Sequence, residues 1–401
     1  MKLKSSEPFW LVKNGILYSY PSLQYDITCD VLIVGGGITG SLIAHQCVED
    51  GYNTVLIDKR EIANGSSSAT TSMLQYEIDV SLHELIEKIG EEGAVASYHA
   101  CADSILQLQH ICKQIRSKSG FHKKKSLYFA ARKKDVISLQ KEYTARQQAG
   151  FKVAWLDAKD IDEKYQIAAT HGGILSQIGA SVDAYTLVHE LLHYNHQRGL
   201  RIFDKTELMQ VGYHPRSQEV LVNSGATIKT RRIIYCVGYE SAGMIPEKFV
   251  DLISTYAVVS EINPEHTKAY QDILVWNTAK PYIYMRTTDD GRFLIGGEDE
   301  RFQNPQKRDR LISRKEEKLV KTFYKHLPHT SFLPDFSWAG TFGETQDGLP
   351  YIGTHKAFKN SYFVLGFGGN GITFSIAGME MCSYWLQGKK HPLSQWFRFG
   401  R

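Results

Sequence analysis

Apolar residues along this chain fall into runs whose spacing changes from segment to segment. Residues 30–34, Asp-Val-Leu-Ile-Val, form a continuous β-branched run that predicts a strand buried on both faces. From Ser41 to Asp50, Leu42, Ile43, Gln46 and Cys47 recur at helical spacing, and Gly51 ends the helix. Tyr52 to Ile57 predicts a second strand, closed by Asp58. Between residues 246 and 337 the pattern alternates instead. Thr255–Ile262, Ile273–Trp276, Tyr282–Arg286 and Phe293–Gly297 predict strands there. The period of two puts Tyr284 and Arg286 on one face, and Asp289-Asp290-Gly291 supplies a turn before the next strand. Basic clusters at 122–125 and 131–134 flank Ser126 to Ala130, which alternates like a strand. A solvated hairpin is the preferred reading, ahead of a site for an acidic partner.

The first strand–helix–strand unit carries chemistry in its turn. Gly35-Gly36-Gly37-Ile38-Thr39-Gly40 satisfies G-x-G-x-x-G between strand and helix. Gly35 permits a tight turn, Gly37 lets backbone approach a pyrophosphate, and Gly40 lets helix and strand pack closely. The unpaired N–H groups at the helix start suit phosphate. Asp58 lies where a carboxylate accepts ribose hydroxyls, which disfavours NADP but leaves NAD and FAD open.

Composition narrows the class. The chain has 401 residues, 42% hydrophobic and 22% charged, so a folded protein of two domains or one elaborated domain is expected. A net charge of +4 is too even to imply nucleic acid or an anionic membrane as the main partner. The six cysteines form no C-x-x-C pair, which fits a reducing, cytoplasmic setting. No apolar stretch is long enough for a signal peptide or a spanning helix.

The segment Asn64-Gly65-Ser66-Ser67-Ser68-Ala69-Thr70-Thr71-Ser72-Met73-Leu74 resembles the one after the ribose-binding acid in the D-amino-acid oxidase-like flavoprotein family. The resemblance is in particular to glycine oxidase, sarcosine oxidase and γ-glutamylputrescine oxidase-like members. Trp338-Ala339-Gly340, Asp347-Gly348-Leu349-Pro350-Tyr351-Ile352-Gly353 and Gly366-Phe367-Gly368-Gly369-Asn370-Gly371-Ile372 resemble the family's C-terminal part. Leu208 matches the apolar residue by the adenine, and Gly238 ends a strand that resembles a later one of the FAD domain. The resemblance implies an α/β fold with a Rossmann-like FAD-binding domain of the GR2 type. A second, mixed-sheet α+β domain would bind substrate. The FAD domain is expected at 26–81, 150–245 and 338–401, and the substrate domain at 82–149 and 246–337.

It also implies the site. FAD is expected on Gly35, Gly37, Ile38, Thr39, Gly40, Asp58, Lys59, Ser66, Ser67, Thr71, Ser72, Met73, Leu208, Gly238, Gly366, Gly368, Gly369, Asn370, Gly371 and Ile372. No cysteine or histidine matches a covalent attachment point, so non-covalent FAD is expected. The last helix, Ile372 to Leu386, would aim its N–H groups at the flavin ring. The expected reaction is hydride transfer from the carbon beside an amine nitrogen to flavin N5, followed by hydrolysis of the imine. Oxygen or an electron carrier would reoxidise the flavin.

Two departures stand out. Glycine oxidase-like members place an arginine before the DG-x-P-x-I-G stretch, to pair with a substrate carboxylate. Here Phe342 occupies that place, which favours an amine without an adjacent carboxylate unless Arg286 or Arg292 supplies the clamp. Sarcosine oxidase-like members carry an oxygen-activating lysine, matched here by Leu294. Oxidase, dehydrogenase and non-catalytic FAD-binding scaffold therefore stay open. Tyr284, Arg286 and Tyr256 are the candidate active-site side chains; the other readings are a packed strand residue for Tyr256 and a surface salt bridge for Arg286. His189-Glu190-Leu191-Leu192-His193 matches a zinc-protease pattern, but no further ligand cluster accompanies it, so no metal is expected.

Overall fold

The apolar run at 30–34 lies in the middle of an eight-stranded sheet. The computed structural model describes residues 1–401. Strand Ile27–Val34 pairs in parallel with Thr54–Ile57 on one side and with Thr227–Tyr235 on the other. Arg201–Phe203 extends the sheet beyond Thr54–Ile57. Phe358–Leu365 joins the far end of Thr227–Tyr235, also in parallel. The hairpin Leu208–Tyr213 and Gln218–Val222 occupies the rest of that edge. Helix Ile38–Glu49 follows the first strand and helix Gly371–Leu386 follows Phe358–Leu365. The two helices touch, with Thr39 Oγ1 and Ser375 Oγ 2.7 Å apart.

A second eight-stranded sheet runs in the order Pro334–Glu344, Asp251–Ser260, Phe293–Glu300, Ile283–Thr287, Ile273–Asn277, Lys125–Phe129, Gly173–Ser176 and Val153–Leu156. It is mixed: Lys125–Phe129 is parallel to Ile273–Asn277, and its other pairings are antiparallel. Both faces are covered. Ala257, Val259 and Leu294 join Val31 and Ile33 of the first sheet in the largest apolar cluster. Tyr256, Val258, Met285 and Ile295 pack on the opposite side with Leu319 and Phe323 of helix Ile312–His326.

The strand pairings move two expected boundaries. Val153–Leu156 and Gly173–Ser176 lie within residues assigned to the FAD domain, yet they pair in the second sheet. Pro334–Glu344, which carries Trp338, is also an edge strand of that sheet. The basic hairpin is corrected as well. Lys125–Phe129 is an interior strand whose partners lie far along the chain, with Leu127 and Phe129 fully buried. Lys124 is itself buried and donates to the Gln271 carbonyl and to Thr287 Oγ1. Local alternation located the strand, while its neighbours are set by long-range pairing.

Behind the strand lies a buried ion network. Arg146, with no exposed surface, bonds Glu142 at 2.7 Å and Glu77 at 3.3 Å. Burial disfavours charge on both partners, but the Arg146 guanidinium and His83 hold Glu142 below the ordinary carboxylate range. Arg146→Leu strands two carboxylates in the core and is expected to cost roughly 3–5 kcal/mol. Urea unfolding followed by circular dichroism checks this, and an unshifted midpoint would show that the network is energetically idle.

Candidate active site

Two glycine turns bring backbone closer than any side chain allows. Gly35 has φ +108°, and a Cβ there would lie 2.4 Å from the Cys236 carbonyl oxygen. A Cβ on Gly40 would lie 1.8 Å from the Gly35 carbonyl oxygen, so the helix seats directly on the turn. The second turn repeats the device: a Cβ on Gly366 would lie 2.4 Å from the Gly371 carbonyl oxygen. Both turns open helices, and both border one cavity of about 660 Å³ between the sheets. That volume lies within the usual range for small-molecule and cofactor pockets, about 300–1,000 Å³.

The Ser/Thr segment between the sheets is pinned through three consecutive carbonyls. Trp338 Nε1 donates to Ala69 O at 2.8 Å, Trp10 Nε1 to Thr70 O at 2.6 Å and Arg286 Nε to Thr71 O at 2.7 Å. This bracing leaves Ser66, Ser67, Thr71, Ser72 and Met73 on the cavity wall. Ser67 Oγ accepts from the Ile38 N–H at 2.9 Å. Ser72 holds a left-handed φ of 53°, and its buried Oγ has no partner. A strained residue with an unanswered hydroxyl at a cavity suits a bound ligand.

At the other end Asp58 accepts from the Gly36 N–H at 2.6 Å and the Arg60 N–H at 2.8 Å. Burial pushes its carboxyl up to about 6. Lys59 pairs with Glu240 at 3.0 Å, and Leu208 and Gly238 complete that end. Every residue expected to bind FAD lines the cavity except Gly40, whose place is under the turn.

The expected active-site side chains separate. Tyr284 lines the cavity, and its ring lies against Gly296, where a Cβ would fall 2.3 Å from its hydroxyl. Tyr256 faces the other side of its strand, in the second apolar cluster, with Lys315 Nζ 5.4 Å from its ring centre. Its ring is packed within that cluster. Tyr256 nonetheless borders the cavity together with Thr255 and Ala257, and its buried hydroxyl has no partner. Arg286 is absent from the lining. It is 4% exposed, and its nitrogens donate to Thr71, Thr287 and Val182 carbonyls. It is therefore neither a substrate clamp nor a surface salt bridge, but a brace for the Ser/Thr segment. Arg292 pairs with Asp290 and Asp335. Only Lys59 and Arg60 bring basic side chains to the cavity, and both face Glu240. Phe342 sits on the wall as an apolar residue.

The sequence reading missed Gln75, Glu77, Asp79, Trp276, Tyr239 and Tyr282, all of which line the cavity. Each other position from Leu74 to Asp79 faces the core, a two-residue alternation that was available as a signal. In the histidine pair, His189 is buried with both nitrogens unpartnered, and Glu190 bonds Ser117 and Lys118. Burial alone lowers His189 to about 4.

The model of the DAO family, described as FAD dependent oxidoreductase, matches residues 30–384. The chain belongs to this family of FAD-dependent oxidoreductases. A Bacillus subtilis protein, YhfW, named as a Rieske 2Fe-2S iron-sulfur protein, is 24% identical over 98% of this chain and 75% of its own. The γ-glutamylputrescine oxidoreductase of Escherichia coli is 22% identical over 92% and 86%. The structure of glycine oxidase from Geobacillus kaustophilus superposes with a TM-score of 0.81 at 19% identity, covering 93% and 99%, a likeness of fold.

FAD is the cofactor, and the residues present fit it. The glycine turns offer bare backbone to a pyrophosphate, Asp58 stands at the ribose position, and Ser72 Oγ and Gln75 Nε2 are buried donors without partners. No histidine lines the cavity, and its one cysteine, Cys236, packs beside Gly40. No helix is long and apolar enough to cross a membrane.

Gly37→Val would send branched carbons toward Ser67 Oγ, only 3.0 Å from the Cβ position, and into the cavity. The purified variant is expected to carry no FAD while keeping its circular dichroism, and full occupancy would place the pyrophosphate elsewhere. A second expectation concerns Asp299, whose Oδ1 is buried without a partner. Burial raises its carboxyl from 3.8 to about 6. The folded chain thus binds more protons than the unfolded chain across that window, and ionisation costs stability as pH rises through it. Asp299→Asn should therefore melt higher than the parent at pH 8, with the gap closing toward pH 4. A gap that stays constant with pH would contradict the assignment.

Proposed function

We propose that the chain oxidises the C–N bond of an amine, with hydrolysis of the resulting imine to a carbonyl compound and a smaller amine or ammonia. One observation carries this reading within the family. The end of the cavity beneath Tyr282 and Tyr284 has no free basic side chain, because Arg286 and Arg292 are engaged elsewhere and Phe342 replaces the clamp. A substrate carboxylate finds no charge-assisted partner there. Bound non-covalently, FAD supplies the acceptor for the two electrons and the hydrogen that leave the carbon. The chain's own part is to hold that C–H bond in place and keep water out. Tyr284, packed against Gly296, gives a wall for this. Helix Gly371–Leu386 opens at the cavity, so its N-terminal dipole favours negative charge there.

A second reading concerns the oxidant. The relative named for a Rieske iron–sulfur centre aligns over nearly all of this chain and keeps about a quarter of its own length outside the alignment. No lysine lies at the Leu294 position, which is fully buried and apolar. Both observations favour transfer to an electron carrier over direct use of oxygen.

Anaerobic mixing of the FAD-loaded protein with a panel of amines and α-amino acids tests the reading. Bleaching of the flavin bands by an amine is expected, with slow recovery in air and fast recovery with a one-electron carrier. Bleaching by α-amino acids alone would overturn it, and recovery in air as fast as mixing would restore the oxidase.

A further inference from the structure

The segment after the Ser/Thr loop carries two acids, Glu77 and Asp79, that family binding of FAD does not account for. Leu74, Tyr76 and Ile78 point into the main core, each 1% exposed, while Gln75, Glu77 and Asp79 border the cavity. Glu77 is 3% exposed; its Oε1 pairs with Arg146, but its Oε2 is buried with no partner. Arg146 already has Glu142 at 2.7 Å, so its charge is answered without that second oxygen. An unpartnered carboxylate oxygen shut away from water demands a donor or a cation.

Asp79 is the accessible one of the two acids. Its Oδ2 accepts from the Gly369 N–H at 2.8 Å, and its surface opens onto the cavity. Protein crowds it elsewhere, and burial and the charge of Glu344 both act to raise its carboxyl. Aromatic faces stand around the two acids. Trp276, stacked on Tyr128 at 3.7 Å, and Tyr282, 5.9 Å from Tyr284, both line the same space. Acids with aromatic faces and no free base bind an ammonium group and repel a carboxylate.

We propose that Glu77 and Asp79 form a cation-binding end of the substrate pocket, so that the oxidised amine carries a second ammonium group and no carboxylate. This rests on the reading of the cavity as an amine-oxidation site. The reacting nitrogen must be neutral to yield an imine, so the buried negative charge serves the distal nitrogen and not the reacting one. Glu77 and Asp79 are specificity residues in this account, holding the far end of the molecule while the near end is oxidised.

The test uses the FAD-loaded full chain and two readouts, perturbation of the oxidised flavin spectrum for binding and anaerobic bleaching for oxidation. The probes are straight-chain diamines of three to six carbons, the matched monoamines, and the matched ω-amino acids. At one or more lengths the diamine is expected to half-saturate at a concentration at least about tenfold below the monoamine, with the ω-amino acid weakest. Asp79→Asn should bring the diamine-to-monoamine ratio to within about twofold. Glu77→Gln should do the same, and because it also disturbs Arg146, Asp79→Asn is the deciding variant. Equal half-saturation by diamine and monoamine at every length overturns the proposal, as does preference for the ω-amino acid or an unchanged ratio in Asp79→Asn. Selective diamine binding without bleaching upholds this site and removes the oxidation reading. Bleaching by other compounds with no diamine binding does the reverse.

Discussion

Close backbone approach at two glycine turns is the constraint on which the rest depends. The first helix can sit on its strand only because Gly40 has no Cβ to meet the Gly35 carbonyl, and the last helix only because Gly366 has none to meet Gly371. The strands that carry these turns flank Thr227–Tyr235, one on each side near its C-terminal end. Their helices are consequently neighbours, joined through Thr39 and Ser375, and both N-termini border the same cavity. Convergent helix ends make a site for a ligand that is anionic at more than one place.

The second sheet completes that cavity from the opposite side, and its contribution is largely positional. Trp338 and Arg286 reach from it, and Trp10 from the N-terminal region, to fix three successive carbonyls of the Ser/Thr segment. Arg286 is further packed against Trp10, with 5.4 Å from guanidinium to ring centre. Arg286 thus serves the loop, and acids and aromatic rings, among them Glu77, Asp79, Trp276 and Tyr282, stand on the cavity wall. Buried carboxylates that destabilise the fold when ionised are a recognised cost of binding sites.

The parts legible in the sequence were those with a local cause. The glycine turns, the acid closing the second strand and the small-residue segment are specified by neighbours within a few residues. The misread parts lacked such a cause. Asp251–Ser260 is buried on both faces over nearly its whole length, so alternation could not tell the Tyr256 side from the Thr255 side. The strand at 125–129 takes neighbours from residues 173–176 and 273–277, which no local pattern reveals. The period of two did place Tyr284 and Arg286 on one face, but the loop that Arg286 meets comes from 215 residues away. The acids at 77 and 79 carried an alternation that went unread because it lies outside regular strand.

The central claim is that the two turns and the braced segment hold one FAD per chain without a covalent bond. The absorbance spectrum of the purified protein, before and after acid precipitation, tests this most directly. The account predicts flavin bands at one FAD per chain, with all of the flavin in the acid supernatant. Flavin that stays with the pellet would contradict non-covalent binding, and no flavin bands even after incubation with FAD would contradict the claim as a whole.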